Sequence, residues 1–281
     1  MRCYLCNSNS FETIKEGVRD NKELQVLKCD DCGLVTLSSF DHIHENFYED
    51  SNMFSEKIKI SDWLSLTSKD DDRRFKFFLE KIKNKNILDF GCGNGGFLLK
   101  TKGIANNAVG VEPEMQFKNF FKKQKIRVYD SLAEINEIKF DLITAFHVFE
   151  HLKDPLEILK NLSSFLAEAG EIIIEVPNSD DILLSYYKSN AFSDFTYWSQ
   201  HLFLFNEKTL TDLINKSEFR INWIEQIQRY PISNHLYWLS KGLPNGQNIY
   251  KIFNNNNLNQ EYSKILKQEK VCDTLLLSIK K

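Results

Sequence analysis

The sequence predicts an α/β fold, a Rossmann-like parallel sheet with helices on both faces, preceded by a small metal-binding ribbon. Three observations predict it. Strand-like and helix-like patterns alternate from about residue 86 onward, as they do where crossover helices cover a parallel sheet. A glycine turn, "DFGCGNGGF", joins the first of these strands to a helix, with Gly91, Gly93 and Gly96 in G-x-G-x-x-G order. Two C-x-x-C pairs, Cys3/Cys6 and Cys29/Cys32, stand at the start of the chain.

Bulk properties narrow the class. The 281 residues are 42% hydrophobic and 27% charged, an ordinary globular composition. A formal net charge of −3 supplies no global basic field for nucleic acid or anionic lipid. No apolar run approaches the ~20 residues that span a bilayer, and MRCYLC lacks the apolar segment of a signal peptide. A cytoplasmic protein without membrane insertion is expected, in which disulfides are disfavoured.

Residues 1–40 form the first unit. Each C-x-x-C places two thiolates on one turn, and four together make the tetrahedral sulfur cage that zinc prefers. Cys3, Cys6, Cys29 and Cys32 are therefore expected to hold one structural zinc ion, with "FETIKEG" and "LQVLKC" as short strands around a turn at Asp20-Asn21. Residues 41–69 read as a linker in which His42 and His44 are solvated. A helix is expected from Asp70 through "DDDRRFKFFLEKI", its aspartates favouring the positive end of the dipole. Phe75, Phe78, Leu79 and Ile82 share one face of it.

Within the main unit, 70–281, "NILDF", "AVGVE", "IRVY", "FDLITAF" and "GEIIIEVP" read as successive strands. "GGFLLKT", "EMQFKNFFKKQK" and "PLEILKNLSSFLA" read as the helices between them. Two insertions follow, about 178–206 and 229–260, separated by a helix "EKTLTDLINKS" and a strand "RINWIEQIQ". The run "NNNNLNQ" reads as a surface turn and "TLLLSIK" as the last strand.

The chemistry of the glycine turn depends on Asp89, which ends the first strand two residues before Gly91. A pyrophosphate is stabilised by amides and a positive helix end, so a carboxylate there repels it and attracts an ammonium group instead. Glu112 ends the next strand, where a carboxylate can accept the hydroxyls of a ribose. A ligand with an amino acid at one end and a ribose at the other satisfies both acids, and S-adenosylmethionine is such a ligand.

"ILDFGCGNGGFL", "VGVEP" and "FDLITAFHVFEHLKDP" together resemble class I S-adenosylmethionine-dependent methyltransferases over roughly residues 70–225. The resemblance implies a seven-stranded methyltransferase sheet with an antiparallel last strand, which "TLLLSIK" can supply. It places Asp89 near the methionine amino group, Gly91 and Gly93 beside the cofactor, and Glu112 on the ribose. It also places Asp130 and Ser131 at the adenine, and Phe146 and His147 under the methionine. With its four cysteines the chain resembles sugar-nucleotide methyltransferases of deoxysugar and surface-glycan pathways, which implies a role in polysaccharide biosynthesis. In those enzymes a histidine after the fifth strand is the acceptor-side base. "QHLFLFN" matches it with His201, while Gln200 replaces the usual acid. The carbon-methylating members carry a further C-terminal domain, so an oxygen acceptor is expected here.

The expected catalytic residues are His201, Tyr197 and His147. Glu150 and His151 are expected to cap and orient the turn after the fourth strand, and Cys92 to fill the glycine turn. Tyr230, Asn234, His235 and Tyr237, in an exposed hairpin-like "RYPISNHLYW", form an acceptor wall, or else a satellite hydrophobic cluster or dimer contact. The expected activity is methyl transfer to a small-molecule acceptor, a hydroxyl of a nucleotide-linked or glycan-precursor sugar. Two alternatives stay open, a zinc-bearing RNA base methyltransferase and a non-catalytic cofactor-binding homologue. Nucleic acid is disfavoured because residues 1–40 carry Arg2, Lys15, Arg19, Lys22 and Lys28 against Glu12, Glu16, Asp20, Glu23, Asp30 and Asp31. The oligomeric state is left open.

Overall fold

The computed structural model describes residues 1–44, 58–136 and 138–281. Four strands form a small sheet: β1 (Phe11–Glu16), β2 (Gln25–Cys29), β3 (Val35–Leu37) and β9 (Phe203–Leu204). The other seven form the large sheet: β4 (Asn86–Phe90), β5 (Asn107–Val111), β6 (Arg127–Tyr129), β7 (Phe140–Phe146), β8 (Leu166–Pro177), β10 (Arg220–Ile227) and β11 (Thr274–Lys280). Their order is β10-β11-β8-β7-β4-β5-β6, with β11 antiparallel to both neighbours and the rest of the core parallel. The predicted seven-stranded α/β fold with an antiparallel last strand is therefore the observed one.

Side chains that alternate along these strands build two cores, one on each face of the sheet. Leu88, Ile143, Ile172, Ile174, Leu275 and Leu277 face one side with Leu159, Leu162 and Leu210. Ile87, Leu142, Ile173 and Leu276 face the other with Phe78, Ile82, Phe97 and Phe146. Sheet order reverses at β4, which has β5 on one side and β7 on the other. In open α/β sheets ligands bind beyond the strand ends at such a switch point. Among the described residues no helix is long and apolar enough to cross a membrane.

Three expectations are corrected. The helix expected at Asp70 spans Ile60–Ile82, so the end of the predicted linker is helical and the three aspartates lie mid-helix. Residues 45–57 of that linker lie outside the described residues. The asparagine run is a helix start: the Asn255 side chain accepts from the Leu258 amide (3.1 Å) and caps Asn256–Gln268. Asparagine is among the best N-caps, which a composition-based reading misses. The segment read as an exposed hairpin forms the helix Ile232–Lys241, with Ser233, Asn234, His235 and Trp238 buried. Beyond what was expected, the ribbon gains a strand from the main unit. β3 pairs with β9 through Val35↔Leu204 and Thr36↔Phe203.

Candidate functional site

Above the switch point a cavity of about 330 Å³ opens beyond the ends of β4, β5 and β7. Asp89, Phe90 and the glycine turn form its floor, with Glu112–Glu114 on one side and Phe146–Val148 on the other. The long helix Ile60–Ile82 covers it with Trp63, Thr67, Asp70, Asp71 and Arg74. His151, Gln200 and Arg229 complete the rim.

The glycines are required by space as well as by backbone. Gly91 has φ +71°, and a Cβ there would meet Val148 Cγ2 at 2.5 Å. A Cβ on Gly96 would meet Asp71 Oδ2 at 2.2 Å. That approach closes a chain in which Thr67 donates to Asp71 (2.8 Å), Asn94 donates to Thr67 (3.0 Å), and the Gly96 amide donates to Asn94 (2.8 Å). The covering helix is thereby tied to the turn beneath it.

Asp89 is 3% exposed and accepts from the Thr144 hydroxyl at 2.7 Å. Burial pushes its carboxyl up to about 7 despite that hydrogen bond. Glu112 is also raised by burial, although the Glu114 and Gly93 amides donate to it at 3.1 and 2.7 Å. Both acids therefore have a reason to meet a donor or a positive charge in the cavity.

Behind the cavity lies an ionic cluster. Glu175 is fully buried and accepts from Arg73 Nη1 (2.9 Å) and Nη2 (2.9 Å), and from Arg74 Nε (3.0 Å) and Nη2 (2.6 Å). Burial raises its carboxyl, but Arg74, the His147 hydrogen bond and Arg73 win and hold it well below the ordinary range. Asp70 receives Arg229 through Nε (3.0 Å) and Nη2 (2.5 Å), and Arg73 through Nη2 (3.1 Å). Arg74 also lies over the Phe146 ring at 4.4 Å. Asp70, Asp71, Arg73 and Arg74 of "DDDRR" thus form the back wall of the site rather than serving a helix dipole, while Asp72 faces out and pairs with Lys100.

His147 is a left-handed residue, φ +57°, at the end of β7. A non-glycine residue held there persists only where its surroundings fix it. Here the His147 amide donates to the Glu175 carbonyl (2.7 Å), Nδ1 meets Glu150 (3.2 Å), and Nε2 meets Arg229 (3.1 Å). Glu150 and His151 follow in a tight 3-10 turn, Phe149–His151. His151 Nδ1 bonds the Gln200 carbonyl at 2.8 Å, and the His151 and His201 rings lie 5.0 Å apart. Burial and the neighbouring His151 push the His201 imidazole down to about 3, so the ring is neutral.

The ribbon holds the loop that carries His201. Thr36 Oγ1 and the Leu37 amide donate to the Leu202 carbonyl (3.0 and 3.2 Å), and the Arg19 amide to the Tyr197 carbonyl (2.9 Å). Asp20 accepts from the Ser199 amide and hydroxyl (2.9 and 2.7 Å), and His42 Nε2 bonds the Ser199 carbonyl (2.7 Å). In the ribbon itself the four sulfurs lie within 4.8 Å of one another, with Cys3–Cys32 at 3.5 Å and Cys6–Cys29 at 3.4 Å. Zinc–sulfur bonds of ~2.3 Å place tetrahedral sulfurs ~3.8 Å apart, so the set fits zinc after small shifts.

The structure brings Asp89, Gly91, Gly93, Glu112, Phe146 and His147 together around one cavity. Other expected site residues fall elsewhere. Asp130 pairs with Lys118 (2.6 Å), and neither it nor Ser131 lines the cavity. His201 stands behind His151 and Gln200, outside the lining. Tyr197 is buried in the large core, and burial raises its hydroxyl to about 12. Tyr230, Asn234, His235 and Tyr237 do not line the cavity either. Asn234 accepts from the Asn245 and Gly246 amides, His235 Nδ1 meets Tyr262 at 2.7 Å, and Tyr237 packs edge-on against Tyr250. That helix makes a satellite cluster, while the residue just before Tyr230, Arg229, reaches the site.

Comparison with known proteins agrees with this architecture. A family model described as a methyltransferase domain matches residues 66–222. The tRNA U34 carboxymethyltransferase of Campylobacter fetus subsp. fetus is 32% identical over 118 residues, 37% of this chain and 42% of that protein. Its counterpart in Helicobacter acinonychis is 35% identical over 137 residues, 42% of this chain and 49% of that protein. The chain thus spans under half the length of these relatives. Two solved structures share the fold. Magnesium protoporphyrin IX methyltransferase from Synechocystis PCC 6803, with bound SAH, covers 83% of this chain and 96% of its own at 10% identity and TM-score 0.51. A chain from the complex of the Haloferax volcanii Trm112 methyltransferase activator with a methyltransferase covers 80% and 98% at 13% identity and TM-score 0.50.

Proposed function

This chain belongs to the methyltransferase-domain family, and from that premise we propose that it uses S-adenosylmethionine, or a carboxymethyl-bearing analogue, to alkylate a nucleoside of tRNA. The observation that carries the acceptor is the set of tRNA U34 carboxymethyltransferases related at 30–35% identity. These relatives correct the expected sugar acceptor, the expected role in polysaccharide biosynthesis and the expectation against nucleic acid. The net charge of −3 and the balance within the ribbon both average over local clusters. "KNFFKKQKIR", residues 118–127, carries Lys118, Lys122, Lys123, Lys125 and Arg127 with no acid, and all five are exposed. Such a stripe is an electrostatic footprint for a phosphate backbone.

The residues present fit the cofactor. The buried Asp89 carboxylate can take the ammonium group, and Glu112, aimed by two amides, can take the ribose hydroxyls. When bound, the cofactor supplies an electrophilic carbon on a sulfonium. The protein's part is to hold the acceptor in line with it, which contributes as much as ~7–11 kcal/mol. An oxygen acceptor must shed its proton. His147 stands on the cavity wall with Nδ1 held by Glu150 and Nε2 taking a hydrogen bond from Arg229. Its imidazole can therefore accept that proton only once Nε2 exchanges Arg229 for the acceptor hydroxyl. His201 and Tyr197 then act as positioning residues, behind the wall.

The test is transfer in vitro. The protein is incubated with S-adenosylmethionine labelled on the methyl group, or with the labelled analogue, and with unmodified total tRNA and a mixture of sugar nucleotides. Label in a tRNA nucleoside is the expected result. Label entering sugar nucleotides but no RNA would overturn the assignment.

A further inference from the structure

We infer that Glu150, His151 and His201 form a second metal site, for one divalent ion of the zinc or manganese type, opening toward the cavity. The three side chains offer one carboxylate oxygen and two imidazole nitrogens, all within 4.8 Å of one another. Two of the donor atoms are buried without a hydrogen-bond partner, Glu150 Oε2 and His201 Nδ1. Glu150 is 0% exposed, so water cannot answer its oxygen. A buried carboxylate oxygen and a buried ring nitrogen left without partners are each costly. One cation satisfies both at once.

The surroundings prepare the ligands. His151 Nδ1 is hydrogen-bonded to the Gln200 carbonyl, which must accept, so Nδ1 carries the proton and Nε2 the lone pair. That nitrogen is 4.0 Å from Glu150 Oε1. A backbone carbonyl holding the far nitrogen is the usual support of a metal-bound histidine. Glu150 Oε1 is itself held by His147 Nδ1 at 3.2 Å, leaving Oε2 for the ion. Bonds of ~2.0–2.2 Å place tetrahedral ligands roughly 3.3–3.6 Å apart, a closure that modest rotation of the two rings provides.

Two imidazoles and one carboxylate suit borderline ions such as zinc, manganese or iron(II), rather than magnesium or calcium. Three protein ligands leave at least one position open. His151 and Gln200 line the cavity, so the open position faces the space where an acceptor oxygen would enter. This ligand set shares no residue with the four cysteines, and His201 reaches it on the loop tethered to the ribbon. The three ligands are in place whichever acceptor the cavity takes.

Cobalt(II) chloride is the probe, titrated into full-length protein whose four-cysteine site is already filled with zinc. One further equivalent should bind, with visible d–d absorption and no thiolate-to-cobalt charge-transfer band. Glu150→Gln and His201→Ala should each weaken that binding at least about 100-fold, the upper end of what losing a mere outer-shell partner costs. The wild-type titration decides the matter even if a variant misfolds. Absence of sulfur-free cobalt absorption in the wild type overturns the site, as does wild-type affinity in both folded variants.

Discussion

Glu175→Gln should lower the free energy of unfolding by about 3–5 kcal/mol, the usual cost of removing one partner from a buried charge group. The carboxylate is fully buried and takes four hydrogen bonds from Arg73 and Arg74. A neutral amide of the same size cannot accept them all, and two guanidiniums are left with Asp70 and a distant Asp71 (3.7 Å). The sign with pH follows from the depressed folded-state value of Glu175. Its contribution is present above the unfolded value near 4.5 and is lost as pH falls toward the lower folded value. Urea unfolding should therefore show a wide gap between wild type and variant at pH 7, narrowing below about pH 4. A gap under about 1 kcal/mol at pH 7 would mean that the cluster is far better solvated than its burial implies.

Cys29→Ser, or removal of zinc by a chelator, should unfold the ribbon and loosen the loop around His201. Binding of structural zinc is worth ~10–16 kcal/mol in small zinc-dependent modules, and 40 residues bury too little surface to fold alone. The loop from Tyr197 to Leu204 depends on the ribbon through β3–β9 pairing and through Asp20, Thr36 and His42. Hydrogen exchange should accelerate over residues 1–40 and 197–204, while β4, β5 and the cofactor turn keep their protection. Unchanged exchange at 197–204 in zinc-free protein would show that the loop stands without its tether. Elemental analysis finding no zinc in protein prepared without chelator would refute the metal assignment itself.

Much of the fold was legible because it is written locally. Buried strands such as "NILDF" and "FDLITAF" are continuous apolar runs, and the glycine turn fixes where the first helix starts. The spacing of four cysteines and the two strand-end acids were also readable, since each depends on a short stretch. What escaped depends on distant partners. β9 is two residues long and exists only because β3 lies beside it. Arg229 reaches Asp70 across 159 positions, and no periodicity announces that pairing. "DDDRR" carried a usable signal, since five charges in a row on an amphipathic helix must place some toward the core. The turn at Glu150 and His151 is local and readable, while their meeting with His201 depends on the ribbon's hold on another loop.

The central claim is that Asp89 and Glu112 make the turn a site for S-adenosylmethionine. Burial favours the neutral form of Asp89 and holds it at about 7, while an ammonium group requires the carboxylate. In the unfolded chain the same acid ionises near its usual 3.8, so this residue reduces stability as pH rises from about 4 to 7. Binding should show the reverse trend, with affinity for the cofactor rising as Asp89 ionises. From pH 6 to pH 7 that amounts to roughly fivefold, since the ionised fraction of a carboxyl near 7 rises from about one-tenth to one-half while the cofactor's amino group, which titrates near ~8, keeps its proton. Calorimetry on cofactor-stripped protein measures it directly. The account predicts S-adenosylmethionine binding roughly fivefold tighter at pH 7 than at pH 6, lost in Asp89→Asn and Glu112→Ala, with no binding of NAD. Tight NAD binding by the wild type, or undiminished S-adenosylmethionine binding by Asp89→Asn, would contradict it.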